Sequence, residues 1–324
     1  MTEAHDLVGQ AVDGDRRALA RLLTIVEDAD PARLRGIIAG LYADTGKARV
    51  IGITGSPGVG KSTLTNALAK TLRGRGRRVA ILAVDPSSPF SGGALLGDRV
   101  RMQSHHGDAG VYIRSMASRG HLGGLSLATP QAVLVLDAVG FDDIIIETVG
   151  VGQSEVDIAA TADSTLVVLA PGMGDGVQAA KAGILEIADV LVINKADHVG
   201  ADRLESELAG MLDIAKDGAI ADLGPWTPPI ARCVGISGEG VTELVDILDT
   251  HATHLAETEF GQKRAFDRAV QLLRELVLDA VRRRFVTSDA EQQATLDALA
   301  RQVADREIDP YTASDQLLAS LKIS

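Results

Sequence analysis

Val50-Ile-Gly-Ile-Thr54-Gly55-Ser56-Pro57-Gly58-Val59-Gly60-Lys61-Ser62-Thr63 is the stretch that decides the fold. Val50–Thr54 is a short, β-branched apolar run, and Leu64, Leu68 and Leu72 beyond the loop recur at helical spacing, so the order is strand, loop, helix. Between them Gly55–Ser62 matches G-x-x-x-x-G-K-[ST], and that flanking context is the one the motif requires. The glycines let backbone N–H groups turn inward around a β-phosphate at a helix N-terminus. Lys61 then reaches the β- and γ-oxygens, and the Ser62 hydroxyl is placed to ligate Mg²⁺. Gly55, Ser56, Pro57, Gly58, Val59, Gly60, Lys61, Ser62 and Thr63 are therefore candidate nucleotide contacts.

Serine at position 56 separates this loop from the variant phosphate loops that carry a signature lysine there, so the base must be read elsewhere. Asn194-Lys195-Ala196-Asp197 follows the apolar run Val190–Ile193. An N-K-x-D at a strand end reads guanine, because the Asp197 carboxylate accepts from both N1–H and the exocyclic amine, donors that adenine does not present together. In isolation the same four residues make a charged turn; the upstream phosphate loop decides for guanine. Ile236-Ser237-Gly238-Glu239-Gly240, after the run Ile230–Val234, is where a backbone loop lies against the base. Ile144–Ile146 leads into Glu147-Thr-Val-Gly150. There Glu147 can act through metal-bound water and Gly150 can offer its N–H to the γ-phosphate. Asp85 and Asp98 are further acids placed for the metal, although as lone residues they would be turn and cap residues.

The other runs are Val79–Val84 and Leu166–Leu169, and amphipathic stretches separate all six. That alternation predicts an α/β fold, a doubly wound and mainly parallel sheet, over residues 46–254. Residues 1–45 read as a helical extension: Leu19, Leu22, Leu23 and Val26, then Leu34, Ile37, Ile38 and Leu41, recur three and four apart, with Pro31 opening the second of these helices. Residues 255–324 return to helix. Phe266, Val270, Leu273, Val277 and Val281 share a face that Leu272 and Leu276 broaden, and so wide a stripe packs either within the chain or on a second copy. Arg282–Arg284 complement a helix dipole.

Composition narrows the function. Lysine and arginine total 32 against 44 aspartate and glutamate, a formal charge of −12, which argues against nucleic acid or an anionic membrane as the main partner. A bound phosphate must be met locally. The single cysteine, Cys233, reads as a small core residue on a strand. Met1–Gln10 carries Glu3 and Asp6 and resembles no secretory or transit peptide, and no apolar run reaches the ~20 residues that span a bilayer, so the expectation is a soluble cytoplasmic protein. His105 and His106 point ~100° apart on a helix and have no further ligand nearby, so they read as solvated. Arg114, Ser118, Arg119 and His121 lie in a glycine-flanked, polar stretch that reads as a partner-facing loop.

Gly55–Ser62, Asp85-Pro-Ser-Ser-Pro, Leu96-Gly-Asp-Arg-Val-Arg-Met102, Glu147-Thr-Val-Gly-Val-Gly-Gln-Ser-Glu155, Pro171-Gly-Met-Gly-Asp-Gly-Val-Gln178 and Asn194–Asp197 together resemble the methylmalonyl-CoA mutase-associated GTPases. These belong to the G3E class, named for glutamate where most GTPases have aspartate, and the group also goes under an arginine/ornithine transport name. The likeness extends over nearly the whole chain, to Asp309-Pro-Tyr-Thr-Ala. It implies a GTP/GDP-binding chaperone that gates adenosylcobalamin loading onto an acyl-CoA mutase, with hydrolysis slow alone and stimulated by that partner. It also implies a homodimer held by the C-terminal arm. Asp85, Asp98 and Glu147 would take metal and switch roles, and Pro171–Lys181 resembles a third switch with Gln178 and Lys181 as candidate stimulators of hydrolysis. Two other readings compete. A small-molecule kinase needs an acceptor pocket and a general base. A nickel metallochaperone GTPase needs a histidine- or cysteine-rich segment, which this sequence lacks.

Overall fold

The structure, a computed structural model, describes residues 2–28, 31–85, 107–117, 127–148, 154–172, 186–216, 225–286 and 290–320. Three helices come first: α1 (Thr2–Val12), α2 (Arg16–Asp28) and α3 (Pro31–Leu41). The central part alternates β1 (Arg49–Thr54), α4 (Lys61–Gly74), β2 (Val79–Asp85), β3 (Val111–Ala117), α5 (Ala128–Ala138), β4 (Asp143–Thr148), α6 (Ser154–Thr161) and β5 (Ser164–Leu169). It continues with β6 (Val190–Asn194), α7 (Ala201–Lys216), β7 (Ile230–Cys233) and α8 (Val241–Glu257). The chain ends in α9 (Glu259–Val286), α10 (Ala290–Ala304) and α11 (Pro310–Ser320). It divides into two compact units, Met1–Arg268 and Ala269–Ser324.

The seven strands form one sheet in the order β3-β2-β4-β1-β5-β6-β7, with every pairing parallel. A doubly wound parallel α/β sheet is thus what the alternating runs predict. Period-two geometry sends alternate side chains of each strand to opposite faces. On β1, Val50 joins the layer built by α1–α3 and α5, while Ile51 and Ile53 join the layer built by α4 and α8. Leu22, Leu23, Val26 and Ile37 are buried in the first layer, so the N-terminal helices are part of the sheet's core covering. Gly52 on β1 has a packing reason: a Cβ there would come within 3.0 Å of the Ala162 Cβ and would push the α6 side back by a few tenths of an ångström.

One strand escapes the sequence reading. Residues 111–117 form β3, in register with β2 from Val79↔Val111 to Asp85↔Ala117, and not a loop. Arg114 accordingly faces inward to the protein's own chain, pairing with Glu27 and donating to Thr24 Oγ1 on α2. As the sheet's edge, β3 is covered by a charge pair from the N-terminal extension, and this is why its sequence is too polar for a central strand. Ser118, Arg119 and His121, like His105 and His106, lie outside the described residues.

In the second unit, among the described residues, only Leu299 and Ala313 are buried apolar side chains. Leu273 and Val277 on α9 are each 62 % exposed, and Leu276 and Leu278 are exposed too. Asp309 caps α11, accepting from the Tyr311 and Thr312 backbone N–H groups at 2.9 and 3.0 Å. Among the described residues no helix is long and apolar enough to cross a membrane.

Candidate nucleotide site

All the motif residues that the structure describes meet at one end of the sheet, where the parallel strands β1, β4, β5 and β6 finish. Parallel strands in α/β sheets deliver their following loops to a common edge, where ligands bind. Register makes this concrete: Ile53 lies beside Glu147 in the β1–β4 ladder, so the loop leaving β1 starts next to that acid.

The loop's glycines are fixed by geometry. Gly55 has φ 138°, and a Cβ on it would sit 2.2 Å from the Val168 carbonyl oxygen of β5. Gly60 has φ 91°, and its Cβ would sit 2.5 Å from Asn194 Nδ2. Gly60 also stands at the N-cap of α4 with no side-chain cap, leaving the first-turn N–H groups for an anion. Val59 is buried while Pro57, Gly58 and Thr63 are exposed and Ser56 is half-buried, so the loop is rooted at its ends and open at its tip.

Lys61 is buried and folds back along the loop, its Nζ donating to the carbonyl oxygens of Gly55 at 2.6 Å and Ser56 at 3.3 Å. The Ser62 hydroxyl donates to Glu147 Oε1 at 2.5 Å. Glu147 itself is 1 % exposed. A hydroxyl and a carboxylate at this separation are hard oxygen donors suited to a small divalent cation. Asp85 ends β2 in register with Ala117. Asp98, Gly150, Gln178 and Lys181 lie outside the described residues.

Asn194 ties the site together from behind. Its Nδ2 donates to the Val59 carbonyl at 2.8 Å and the Gly60 carbonyl at 3.3 Å, and its Oδ1 accepts from Gly235 N–H at 3.0 Å. One buried amide thus joins the phosphate loop, β6 and the turn after β7. Lys195 adopts the left-handed region, φ 57°, and its Nζ donates to the Gly58 carbonyl at 2.8 Å, lying over the loop. Asp197 is exposed beside it. Across from it the turn Ser237-Gly238-Glu239 closes on itself, Gly238 N–H donating to the Val234 carbonyl at 2.8 Å and Val234 N–H to the Glu239 carbonyl at 2.9 Å. Cys233, just before that turn, is a core residue whose thiol burial pushes up to about 12, so it is inert at neutral pH.

The motif reading locates Asn194 but not its bracing role, since its partners are 135 and 41 residues away. The same holds for Asp137, whose carboxylate accepts from Gly46, Lys47 and Ala48 N–H groups and fixes the approach to β1.

A glycine-rich loop between β1 and α4, braced by Asn194 at the end of β6 and contacted by Lys195 just beyond it, defines the class: a P-loop nucleotide-binding protein of the GTPase kind. The chain belongs to the family described as methylmalonyl Co-A mutase-associated GTPase MeaB, whose profile matches residues 19–290. A Pyrococcus horikoshii protein named as a GTPase is 45 % identical over 321 residues, covering 99 % of each chain. The mouse mitochondrial methylmalonic aciduria type A homolog is 34 % identical over 328 residues, covering 96 % of this chain and 78 % of its own length. Among solved structures, a LAO/AO transport system kinase shares the fold, with a TM-score of 0.69 at 24 % identity, covering 98 % of this chain and 97 % of the other.

Proposed function

We propose that the protein is a GTP-hydrolysing chaperone of an adenosylcobalamin-dependent acyl-CoA mutase of the methylmalonyl-CoA type, slow alone and stimulated by that enzyme. The observation that carries the nucleotide part is that Lys61 and Lys195 donate to the loop's own carbonyls, contacts that a phosphate chain can take over, while Asn194 braces the loop to β6. The partner part rests on membership of a family described by its association with the mutase.

In this reading GDP or GTP lies along Gly55–Thr63, with Gly150 N–H toward the γ-phosphate. Lys61 exchanges its two carbonyl contacts for phosphate oxygens, a swap of neutral acceptors for charged ones that favours the nucleotide. Ser62 and Glu147, with Asp85 and Asp98, would hold Mg²⁺, which when bound would supply charge neutralisation at the phosphates. Asp197 reads guanine, and the Ser237–Glu239 turn covers it. Asn194 keeps the loop and the base strand at a fixed separation, and Gln178 and Lys181 complete the site when the mutase docks. Residues 46–254 act as the G domain, 1–45 as its helical extension and 255–324 as a dimerisation arm. The exposed Leu273, Leu276 and Val277 support the arm's role, because a 56-residue unit with two buried apolar side chains among its described residues needs a second surface.

The test has two arms. Phosphate release from GTP is measured with and without a purified methylmalonyl-CoA mutase, and guanine binding is measured for Asp197→Ala. Stimulation by the mutase and a loss of GDP affinity of about tenfold or more support the reading. Unchanged hydrolysis sinks the partner, and undiminished binding sinks the base assignment.

A further inference from the structure

We propose that Arg264, at the root of the C-terminal helix, is a positioning residue for the nucleotide site, coupled to it along β5 and β6. The inference rests on the site reading above and adds a second location that controls it.

The far end of the sheet, opposite the phosphate loop, carries a closed set of contacts. Arg264 grips Asp189 with both terminal nitrogens, at 2.5 and 3.1 Å. Arg268, one turn on, pairs with Asp163 Oδ1 at 2.7 Å and donates to the Ala162 carbonyl at 3.3 Å. Asp189 is the residue before β6, and Asp163 the residue before β5. Both acids are built into the sheet. Asp189 accepts from Thr165 N–H of β5 at 2.8 Å, and Asp163 accepts from Val50 N–H of β1 at 2.8 Å. The start of α9 therefore holds the first residues of the strands that the nucleotide site ends.

A β-strand is stiff along its axis. The five residues of β6, at ~3.3 Å each, carry a displacement at Asp189 about 16 Å to Asn194 with little loss. Asn194 is sensitive to such a displacement, because its amide spans two loop carbonyls and a turn N–H whose bonds tolerate only a few tenths of an ångström. Strand β5 presses on the same loop, its Val168 carbonyl lying where a side chain of Gly55 would be. Whatever changes the seat of α9 on Asp189 and Asp163 changes the fit of the loop, and by linkage nucleotide binding changes that seat equally.

The chain contains its own reporter. Trp226, the single tryptophan, donates from Nε1 to the Asp189 carbonyl at 2.9 Å and packs on the rings of His251 and His254, at 4.6 and 5.2 Å between centroids. It stands at the anchor end of the sheet.

The experiment titrates the full chain with GDP while following Trp226 emission, and measures GDP affinity for the native chain, Arg264→Met and Arg264→Lys. The expected results are a nucleotide-dependent change in Trp226 emission, about a fivefold or greater loss of affinity in Arg264→Met with the emission change abolished, and recovery of most of that affinity in Arg264→Lys. The inference is overturned if Arg264→Met binds GDP within about twofold of the native chain, a margin below the usual range of coupling energies. It is equally overturned if the native chain binds GDP while Trp226 emission does not respond, a result that stands even where Arg264→Met does not fold. A native chain that binds no guanine nucleotide sinks the site reading instead.

Discussion

The two ends of the sheet use polar groups in opposite ways. At the loop end, Lys61 and Lys195 donate to backbone carbonyls and Ser62 to Glu147, contacts that a phosphate or a cation can replace with stronger ones. At the anchor end, acids meet arginines in pairs that no ligand can improve. Asp143 takes Arg49 at 2.6 Å and Arg77 at 3.4 Å, Asp249 is shared by Arg49, Arg75 and Arg77, and Asp189 takes Arg264. One end makes contacts that a ligand can replace and the other makes contacts that complete the fold. Substitutions at the first should therefore alter chemistry at nearly constant stability, and substitutions in the Asp143 and Asp249 pairs at the second should do the reverse, Arg264 being set apart by its coupling to the site through β5 and β6.

The largest expected departure is Lys61→Ala. Loss of the charge that the proposed function directs to the γ-phosphate should lower the rate of hydrolysis by about 10³, roughly 4 kcal/mol of transition-state stabilisation, with the melting temperature nearly unchanged. Single-turnover phosphate release beside a thermal melt checks both halves. A large drop in melting temperature would show that Lys61 supports the empty loop as much as it serves the ligand.

At the anchor end Asp143→Asn should cost about 3 kcal/mol of stability, because Asp143 is fully buried and its removal strips a buried charge from Arg49 and Arg77. Urea unfolding measures it, and GTP hydrolysis per folded molecule should not move. His251 makes a related contribution through pH. Burial first, with Arg264 and His254 nearby, holds its imidazole down at about 4, against the opposing pull of Asp189. Above about pH 6.5 neither folded nor unfolded chain protonates it, and its stabilising effect is complete. Between about 6.5 and 4 the unfolded chain takes up the proton and the folded one does not, so stability falls with acidification, by about 3 kcal/mol in all. Unfolding curves from pH 7 to 4 should show that slope in the native chain and a shallower one in His251→Gln.

How far the sequence reveals this division depends on range. The loop end was legible because its chemistry is contiguous: Gly55–Ser62 and Asn194–Asp197 carry their meaning within a few residues, and six of the seven strands announced themselves as apolar runs. The anchor end was not. Asp189 reads as an ordinary acid before a strand, and Arg264 as one of many helix arginines, until folding brings together positions 75 residues apart. The edge strand β3 was missed for the same reason. Arg114 looks like a loop residue because its partner Glu27 belongs to the distant helix α2, and an edge strand need not be apolar once a charge pair covers it.

Asn194 sharpens the comparison, since it is a loop-end residue used in the anchor-end manner. Asn194→Ala leaves the Val59 carbonyl and the Gly235 N–H without their partner in a buried place, while the Gly60 carbonyl keeps the Leu64 N–H. It should cost about 2 kcal/mol of stability as well as weaken GDP binding, the one loop-end change to move both. Measuring affinity and unfolding on the same preparation separates it from Lys61→Ala.

The smallest effect marks where the anchor end meets water. Asp246 pairs with Arg75 at 2.6 Å, as short as the Asp143–Arg49 contact, but its side chain is 64 % exposed. Solvent screens the attraction, and two mobile side chains lose entropy to hold it, so Asp246→Asn should cost under about 1 kcal/mol. Added salt should shrink even that, whereas the cost of Asp143→Asn should persist at high ionic strength. Equal costs for the two substitutions would mean that distance rather than burial sets the strength of these pairs, and the contrast between the closed and open ends of the sheet would then need another cause.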